Sequence, residues 1–327
     1  MESSITQVQK TFSKPHIITS VIEHQSVLEP IKTLGEQGYK ITYLTVNKEG
    51  LINLDEFKKS IRPETVLVSI IYVSNEIGSV QPIKKIAKII KEFRNSRNSP
   101  YPYFHIDAAQ AVNYFDINVN NLGVDLMTIS SHKIYGPKGV AALYVRNGTQ
   151  IEPMIYGGGQ EFGLRSTTEA VPLIVGLSKA LELCQKLKIK NQKYLNELRT
   201  YFINKLRLLI PEIRINGPEN KKDCASHIIS ATFDEVENEQ LLLYLDKYGI
   251  RASAGSACSS RDIEPSHVLT ALGLSKKEAR STIRFSLGCQ TTKKDLDYVL
   301  KILPKVVKKI EGLYPKDLKN HYYGGIN

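Results

Sequence analysis

Short apolar runs rich in β-branched residues alternate with amphipathic stretches along the first half of the chain. The runs have the composition of strands and are HIITSVIEH, YKITYLTV, TVLVSIIYV, YFHID, DLMTIS and VAALYV. Between them, the spacing of apolar residues predicts helices over residues 26–38, 53–62 and 82–94. Strands that are apolar on both faces and alternate with helices indicate an α/β fold with a parallel or mixed sheet and helices on both sides.

The pattern changes after residue 171. A long helical stretch runs from Pro172 to about Leu209, interrupted at most once, and the run HIISATF then has the composition of a strand. Helical spacing follows over residues 239–248 and 265–272, and capping-box patterns begin at Ser275 and Thr292. We therefore predict a large domain over residues 1–171 and, over residues 172–327, a connecting helix with a smaller α+β domain.

Length and composition are those of a soluble globular protein with two domains or one large one. The chain has 327 residues, of which 42% are hydrophobic, and no apolar run approaches the roughly 20 residues that span a bilayer. No secretory signal is visible before Lys14. These features predict a cytoplasmic protein without a membrane partner.

The four cysteines are widely separated and form no CxxC pair, which argues against a disulfide framework and a zinc ribbon. The sequence thus predicts no metal site. At least one cysteine can be a working thiol in a reducing compartment. Cys184 and Cys289 are expected to be inert, whereas the role of Cys224 stays open.

A formal charge of +11 raises the hypothesis of a basic, nucleic-acid-binding protein. The lysines, however, are interleaved with apolar residues at helical spacing, as in residues 84–91 and 301–309. No aromatic platform or nucleic-acid motif accompanies them. Solvated helix faces are the better interpretation, and we expect no nucleic-acid partner.

Polar residues cluster where the predicted strands end. His24, Asn75, Asp107 with Gln110, and Lys133 follow four of the apolar runs. A lysine at the end of a strand is usually a solvated surface charge. Ligands of such folds, however, bind outside the carboxyl ends of the strands, so four polar strand ends indicate a site.

An aspartate and a lysine at such an edge match the needs of pyridoxal 5'-phosphate. This cofactor requires a lysine amine for its Schiff base, a carboxylate opposite its ring nitrogen and donors for its phosphate. Lys133 would supply the amine and Asp107 the carboxylate, while Ser130 and His132 would reach the phosphate. Asp107 alternatively caps the turn that follows it.

Two further side chains have a place beside the ring. Gln110 lies three residues after Asp107, so one helical turn would aim it at the ring hydroxyl. His24 would lie flat on the ring face. The alternative for His24 is a satisfied core histidine.

A set of motifs then occurs in an order that resembles the NifS/IscS-type cysteine desulfurases. These are fold-type I pyridoxal phosphate enzymes of the class-V aminotransferase group, and the resemblance runs from about residue 17 to about residue 298. The motifs are EHQSVL, SNEIG, HIDAAQAV, SSHKIYGPKG, GGGQEFGLRS, ASAGSACSS, EPSHVLTALG and STIRFSLG. The resemblance implies a large domain with a mostly parallel mixed sheet flanked by helices, and a smaller C-terminal domain.

The resemblance also implies a role for each matching residue. Lys133 is the Schiff-base lysine, Asp107 pairs with the ring nitrogen, and His24 stacks on the ring. Asn75 and Gln110 contact the ring hydroxyl and the substrate, and Ser130 and His132 hold the phosphate. Thr168 reaches the phosphate of a neighbouring subunit in a homodimer. Arg284 binds the substrate carboxylate, with a structural ion pair as the alternative, and the Cys258 thiol receives sulfur.

The implied activity is the removal of sulfur from L-cysteine, which gives L-alanine and a persulfide on Cys258. Small residues and Gly255 around Cys258 favour a flexible, exposed loop, as a mobile nucleophile requires. The loop resembles that of family members that deliver sulfur to an iron–sulfur scaffold or another acceptor protein.

Four features depart from the family pattern. The glycine-containing, phosphate-binding turn that precedes the first motif in the family is absent, which predicts an N-terminally truncated large domain. Thr167 stands where the family has glycine, Phe162 stands where it usually has arginine, and the tail KNHYYGGIN does not match the segment that contacts scaffold proteins. The alternative is therefore an inactive paralogue that retains the fold and at most dimerises.

Overall fold

The computed structural model describes residues 13–255 and 265–313, and these residues divide into two compact units. The first unit comprises the described residues up to Val46 together with Leu51–Ser74 and Val80–Ile189. The second comprises Asn47–Gly50, Asn75–Ser79 and the described residues from Lys190 onward. The division falls inside a long helix, whereas the sequence analysis places the start of that helix at the boundary. The domain limits at residues 171 and 172 stay a prediction.

The first unit contains a six-stranded sheet in the order β2-β1-β3-β4-β5-β6. The strands are β1 (His16–Ser20), β2 (Lys40–Leu44), β3 (Thr65–Ile71), β4 (Tyr103–Asp107), β5 (Leu126–Ser130) and β6 (Ala141–Val145). All neighbouring strands are parallel except β5 and β6, which are antiparallel. The predicted α/β fold with a mixed sheet is confirmed.

The helices of the first unit follow its strands along the chain. They are α1 (Gln25–Glu36), α2 (Leu54–Ser60), α3 (Ile83–Arg97), α4 (Val119–Leu122) and the part of α5 (Val171–Leu209) that precedes residue 190. The apolar face of α1 packs on the sheet, where Val27, Ile31 and Leu34 join Ile17 and Val66 in one buried cluster. The face of α1 that the amphipathic spacing predicts to be apolar is therefore the face that is buried.

Two local expectations were wrong. β1 ends at Ser20, so His24 lies four residues beyond the strand and occupies the N-cap of α1. Residues 109–114 form consecutive turns instead of a helical turn after β4, and these turns include Gln110. In the first case the Val21 N–H donates to the Leu44 carbonyl and the chain turns at residues 21 and 22, which ends the regular strand.

The second unit contains a three-stranded antiparallel sheet in the order β7-β8-β9. Its strands are β7 (Arg214–Asn216), β8 (Ile228–Thr232) and β9 (Thr282–Ser286), and its helices after α5 are α6 (Asn238–Lys247), α7 (His267–Ala271), α8 (Lys276–Arg280) and α9 (Lys293–Glu311). The capping boxes at Ser275 and Thr292 are both present, and α5 is continuous. Phe202 of α5 meets Phe285 of β9 edge-to-face, at 5.3 Å between ring centroids.

Asp125 fixes the start of β5 in the first unit. Its buried carboxylate accepts the Phe104 N–H of β4 at 2.7 Å and forms an ion pair with Arg94 of α3. The Arg146 Nε lies 3.8 Å from the other carboxylate oxygen. A buried carboxylate with several donors holds its neighbours in one geometry, and here it positions the strand that leads to Lys133. Within the described ranges, no helix is both long enough and apolar enough to cross a membrane.

Candidate active site

Asp107 is the last residue of β4 and lies at the carboxyl end of the sheet. It pairs in register with Ile71 of β3 and Thr128 of β5, and 8% of it is exposed. Its Oδ1 accepts the Ala109 N–H at 2.9 Å, so the capping role foreseen as an alternative is real. Burial raises the pKa of Asp107, while the Ala109 N–H and the charges of His24 and Lys133 oppose that rise.

His24 and Lys133 therefore share an electrostatic environment with Asp107 in the first unit. His24 is half-buried at the N-cap of α1, where its Nδ1 accepts the Ser26 N–H at 3.2 Å and lies 2.8 Å from the Ser26 Oγ. This contact fixes the ring by its Nδ1 edge. The histidine is thus oriented by the helix start and is not a fully buried core residue.

Lys133 lies in a single 3₁₀ turn, Ser131–Ile134, that follows β5. The side chains of His132 and Lys133 are exposed, and the Ser130 Oγ lies 3.1 Å from the His132 Nδ1. Partial burial and the charges of Lys133 and Lys138 lower the pKa of His132. The end of β5 and the turn thus bring a hydroxyl and an imidazole together, directly before Lys133 in the chain. Their role toward a phosphate stays a prediction.

Glu23 is a residue of this site that sequence analysis missed. It is fully buried beside His24, and its Oε1 accepts the Ile71 N–H at 2.8 Å and the Ser20 hydroxyl. Burial raises the pKa of Glu23 to about 8, and Asp107 adds to that rise. Glu23 is therefore protonated near neutral pH, so it adds no negative charge beside Asp107.

Two other predicted residues lie in the loops of the first unit. Gln110 is half-buried in the turns after Asp107, and Thr168 is exposed in the segment before α5. Non-glycine residues of that segment with positive φ are Glu161 and Phe162, and Thr167 is not among them. A threonine at 167 is therefore compatible with its backbone, and the departure from glycine introduces no left-handed strain there.

Asn75 and Arg284 belong to the second unit and contact one another there. The Arg284 Nη1 donates to the Asn75 carbonyl at 2.9 Å and to the Gly255 carbonyl at 3.1 Å. The main chain of Arg284 also pairs with that of Ser253. Hydrogen bonds to two main-chain carbonyls orient the guanidinium group, which has five N–H donors in all. Cys258 lies outside the described residues.

The donor set of the first unit fits pyridoxal 5'-phosphate. A buried carboxyl whose pKa burial raises gains from a cationic partner such as a protonated ring nitrogen. An exposed lysine amine and a hydroxyl–imidazole pair lie on the adjoining turn. These are the groups that such a cofactor requires.

Comparison with known proteins finds relatives that match most of this chain. The family model described as Aminotransferase class-V matches residues 4–299. Cysteine desulfurase IscS of Dictyoglomus turgidum is 46% identical over 300 residues, which are 92% of this chain and 74% of that protein. A solved structure named NifS-like protein has a TM-score of 0.84 and 33% identity, with coverage of 94% of this chain and 80% of its own. Another, SspA in complex with cysteine, has a TM-score of 0.70 and 37% identity over 85% of this chain and 75% of its own.

We predict that Glu23→Gln makes stability less dependent on pH. The folded-state pKa of Glu23 is raised from 4.5 to about 8, so across this interval the unfolded chain releases a proton that the folded chain keeps. Wild-type stability must therefore fall as pH rises, by up to about 1 kcal/mol per pH unit from this group. Glutamine has no proton to release.

Urea unfolding of both proteins between about pH 5.5 and about pH 7.5 measures this difference. The free energy of unfolding of Glu23→Gln should gain on that of the wild type as pH rises. Parallel curves would contradict the assignment of a protonated Glu23.

Proposed function

The chain belongs to the aminotransferase class-V family, and from this premise we propose that it is a cysteine desulfurase that uses pyridoxal 5'-phosphate. The observation that carries the proposal is the position of Asp107 at the carboxyl end of β4, where the charges of His24 and Lys133 act on the pKa of its carboxyl group. Similarity to proteins named cysteine desulfurase over 92% of the chain supports L-cysteine as the substrate.

Each candidate site residue of the first unit is assigned a role around the cofactor. Asp107 would pair with the ring nitrogen, Lys133 with the aldehyde carbon, and Ser130 and His132 with the phosphate. His24 would lie against the ring face. When bound, the cofactor supplies an electron sink that makes the α-proton of the substrate acidic and its sulfur susceptible to attack.

The protein's own groups then handle the proton and bind the substrate. The Lys133 Nζ, exposed on its turn, takes the α-proton and returns it to carbon. An ionised Asp107 would stabilise positive charge at the ring nitrogen, and Glu23, which is protonated near neutral pH, adds no negative charge that opposes this ionisation. Gln110 and Asn75 would contact the ring hydroxyl and the substrate, and the Arg284 guanidinium would bind the substrate carboxylate.

The Cys258 thiolate is the proposed acceptor. Its sulfur forms a bond to the sulfur of L-cysteine while the carbon–sulfur bond of the substrate breaks, and the substrate carbon takes up a proton. The products are L-alanine and a persulfide on Cys258, which a sulfur-acceptor protein such as an iron–sulfur scaffold would then use. The cytoplasmic location stays a prediction.

A homodimer is the proposed assembly. We give the name α5-start patch to four apolar side chains of the first unit that are each more than half exposed: Tyr135, Leu143, Val171 and Val175. The turn after Lys133 packs on α5 nearby, since a Cβ at Gly139 would lie 3.8 Å from Leu173. We propose that these side chains together form the interaction surface of the dimer. Thr168, three residues before Val171, would then reach the phosphate in the partner.

We predict that two substitutions separate cofactor attachment from sulfur transfer. Lys133→Ala should remove the visible absorbance of lysine-bound cofactor and lower sulfide release from L-cysteine by roughly 10²- to 10⁴-fold, because it removes the covalent anchor and the proton-transfer group. Cys258→Ser should keep the absorbance but lower sulfide release by about 10²-fold or more, because a serine hydroxyl is a poor sulfur acceptor. Absorbance titration with pyridoxal 5'-phosphate and a sulfide assay with a thiol reductant measure the two effects.

Matched controls come from the same chain. Lys32→Ala changes an exposed lysine of α1, and Cys289→Ser changes an exposed thiol of the second unit. Both should behave as the wild type. Undiminished absorbance in Lys133→Ala would defeat the lysine assignment, and a wild type that binds no cofactor would favour the inactive paralogue.

We also predict that Val175→Asp weakens self-association, since it places a charge in the α5-start patch. The wild type should sediment as a dimer at micromolar concentration, and the variant should shift toward monomer. Leu243→Asp, at a residue of the second unit that is 74% exposed, is the control and should sediment as the wild type. A monomeric wild type would contradict the assembly.

A further inference from the structure

The main chain at Lys133 is held by a side chain from another part of the first unit. The Asn113 Nδ2 donates to the Lys133 carbonyl at 3.0 Å, and the Cys184 Sγ of α5 lies 2.6 Å from the Asn113 Oδ1. We propose that Asn113 is a positioning residue for Lys133, and that the Cys184 thiol holds the Asn113 amide in the orientation that this contact needs. The inference rests on the proposed function, because it assumes that Lys133 carries the cofactor.

The hydrogen-bonding capacity of the groups supports one orientation of the amide. The Lys133 carbonyl can only accept, so the NH₂ group of Asn113 must face it. The amide oxygen then faces Cys184, whose S–H is a donor. A reversed amide would place two acceptors against one another at Lys133. The Lys133 carbonyl therefore selects the orientation, and the Cys184 S–H adds a hydrogen bond to the amide oxygen in that orientation.

The geometry of the 3₁₀ turn explains why the Lys133 carbonyl needs a donor from outside. The last carbonyls of a helical turn have no partner within it. Here the N–H groups of Tyr135 and Gly136 donate to the Ser131 carbonyl, and Tyr135, with φ of 65°, ends the turn in the left-handed region. Asn113 supplies the donor for the carbonyl of Lys133 itself.

The support is rigid, since it is part of a buried cluster. Asn113 and Cys184 are 7% and 6% exposed, and Cys184 packs with Ile134, Leu177 and Ala180. Ile134 follows Lys133 directly and is also buried. The side chain of Lys133 is exposed, whereas its main chain is held by the buried residues Asn113 and Ile134. A rigid main chain of this kind keeps a reactive side chain in a productive geometry.

The test measures the rate at which the cofactor becomes covalently attached at Lys133, where the amine and the aldehyde condense with loss of water. Samples are quenched with borohydride at successive times, and the Lys133 peptide is quantified by mass spectrometry. Asn113→Leu keeps side-chain size but removes both contacts, and Asn113→Asp keeps the acceptor but removes the donor. Both should slow attachment by about 10- to 100-fold, as expected when a reacting group is slightly misplaced.

The thiol half of the inference is tested by rescue. Cys184→Ala should slow attachment in the same direction but by less, and Cys184→Ser, which restores a donor, should return it close to the wild-type rate. Leu177→Val removes a methylene from the same cluster without touching the network, so it should lower the melting temperature yet attach cofactor at the wild-type rate. If Asn113→Leu does not fold, Asn113→Asp and the two Cys184 variants carry the test.

The outcomes separate the inference from the function on which it rests. Wild-type attachment rates in both Asn113 variants would overturn the positioning role, as would an equal slowing in Leu177→Val, since general destabilisation would then explain the effect. Identical rates in Cys184→Ser and Cys184→Ala would overturn the role of the thiol. A wild type that attaches no cofactor at Lys133 would instead overturn the proposed function.

Discussion

The hydrogen-bonded pairing of β4 with its parallel neighbours decides where the chemistry of the first unit can occur. Because Asp107 lies in register with Ile71 and Thr128, its carboxyl is buried at the carboxyl edge of the sheet. The Ala108 N–H donates to the Thr128 carbonyl at 2.9 Å, which fixes the exit of β4 against β5 two residues before β5 ends. The turn that bears Lys133 follows at once, so the register of two strands sets where amine and carboxyl lie.

Burial makes ionisation of Asp107 unfavourable, and a second buried carboxyl, that of Glu23, interacts with it. Two buried carboxyls that sense one another cannot both ionise at low cost. The environment raises the pKa of Glu23 to about 8, and the charges of His24 and Lys133 favour the anion at Asp107. A neutral Glu23 thus binds the main chain at Ile71, while the charges of His24 and Lys133 oppose the rise in the pKa of Asp107.

The sequence predicts most of the fold, because strand and helix patterns are local. The alternation of apolar runs with amphipathic helices, and the caps at Ser275 and Thr292, are all present. The burial of Glu23 and the bonds of Asn113 depend on residues 48 and 20 positions away, which no local pattern reveals. The assignment of Asn75 to the second unit is hidden for the same reason, since its partner Arg284 is 209 residues further along the chain.

The central claim is that Lys133 and Asp107 hold opposite ends of one pyridoxal 5'-phosphate. A crystal structure of the protein grown with this cofactor tests it most directly. The account predicts continuous electron density from the Lys133 Nζ to the former aldehyde carbon, and an Asp107 oxygen within about 3 Å of the ring nitrogen. Density joined to another lysine, or a ring nitrogen that points away from Asp107, would contradict it.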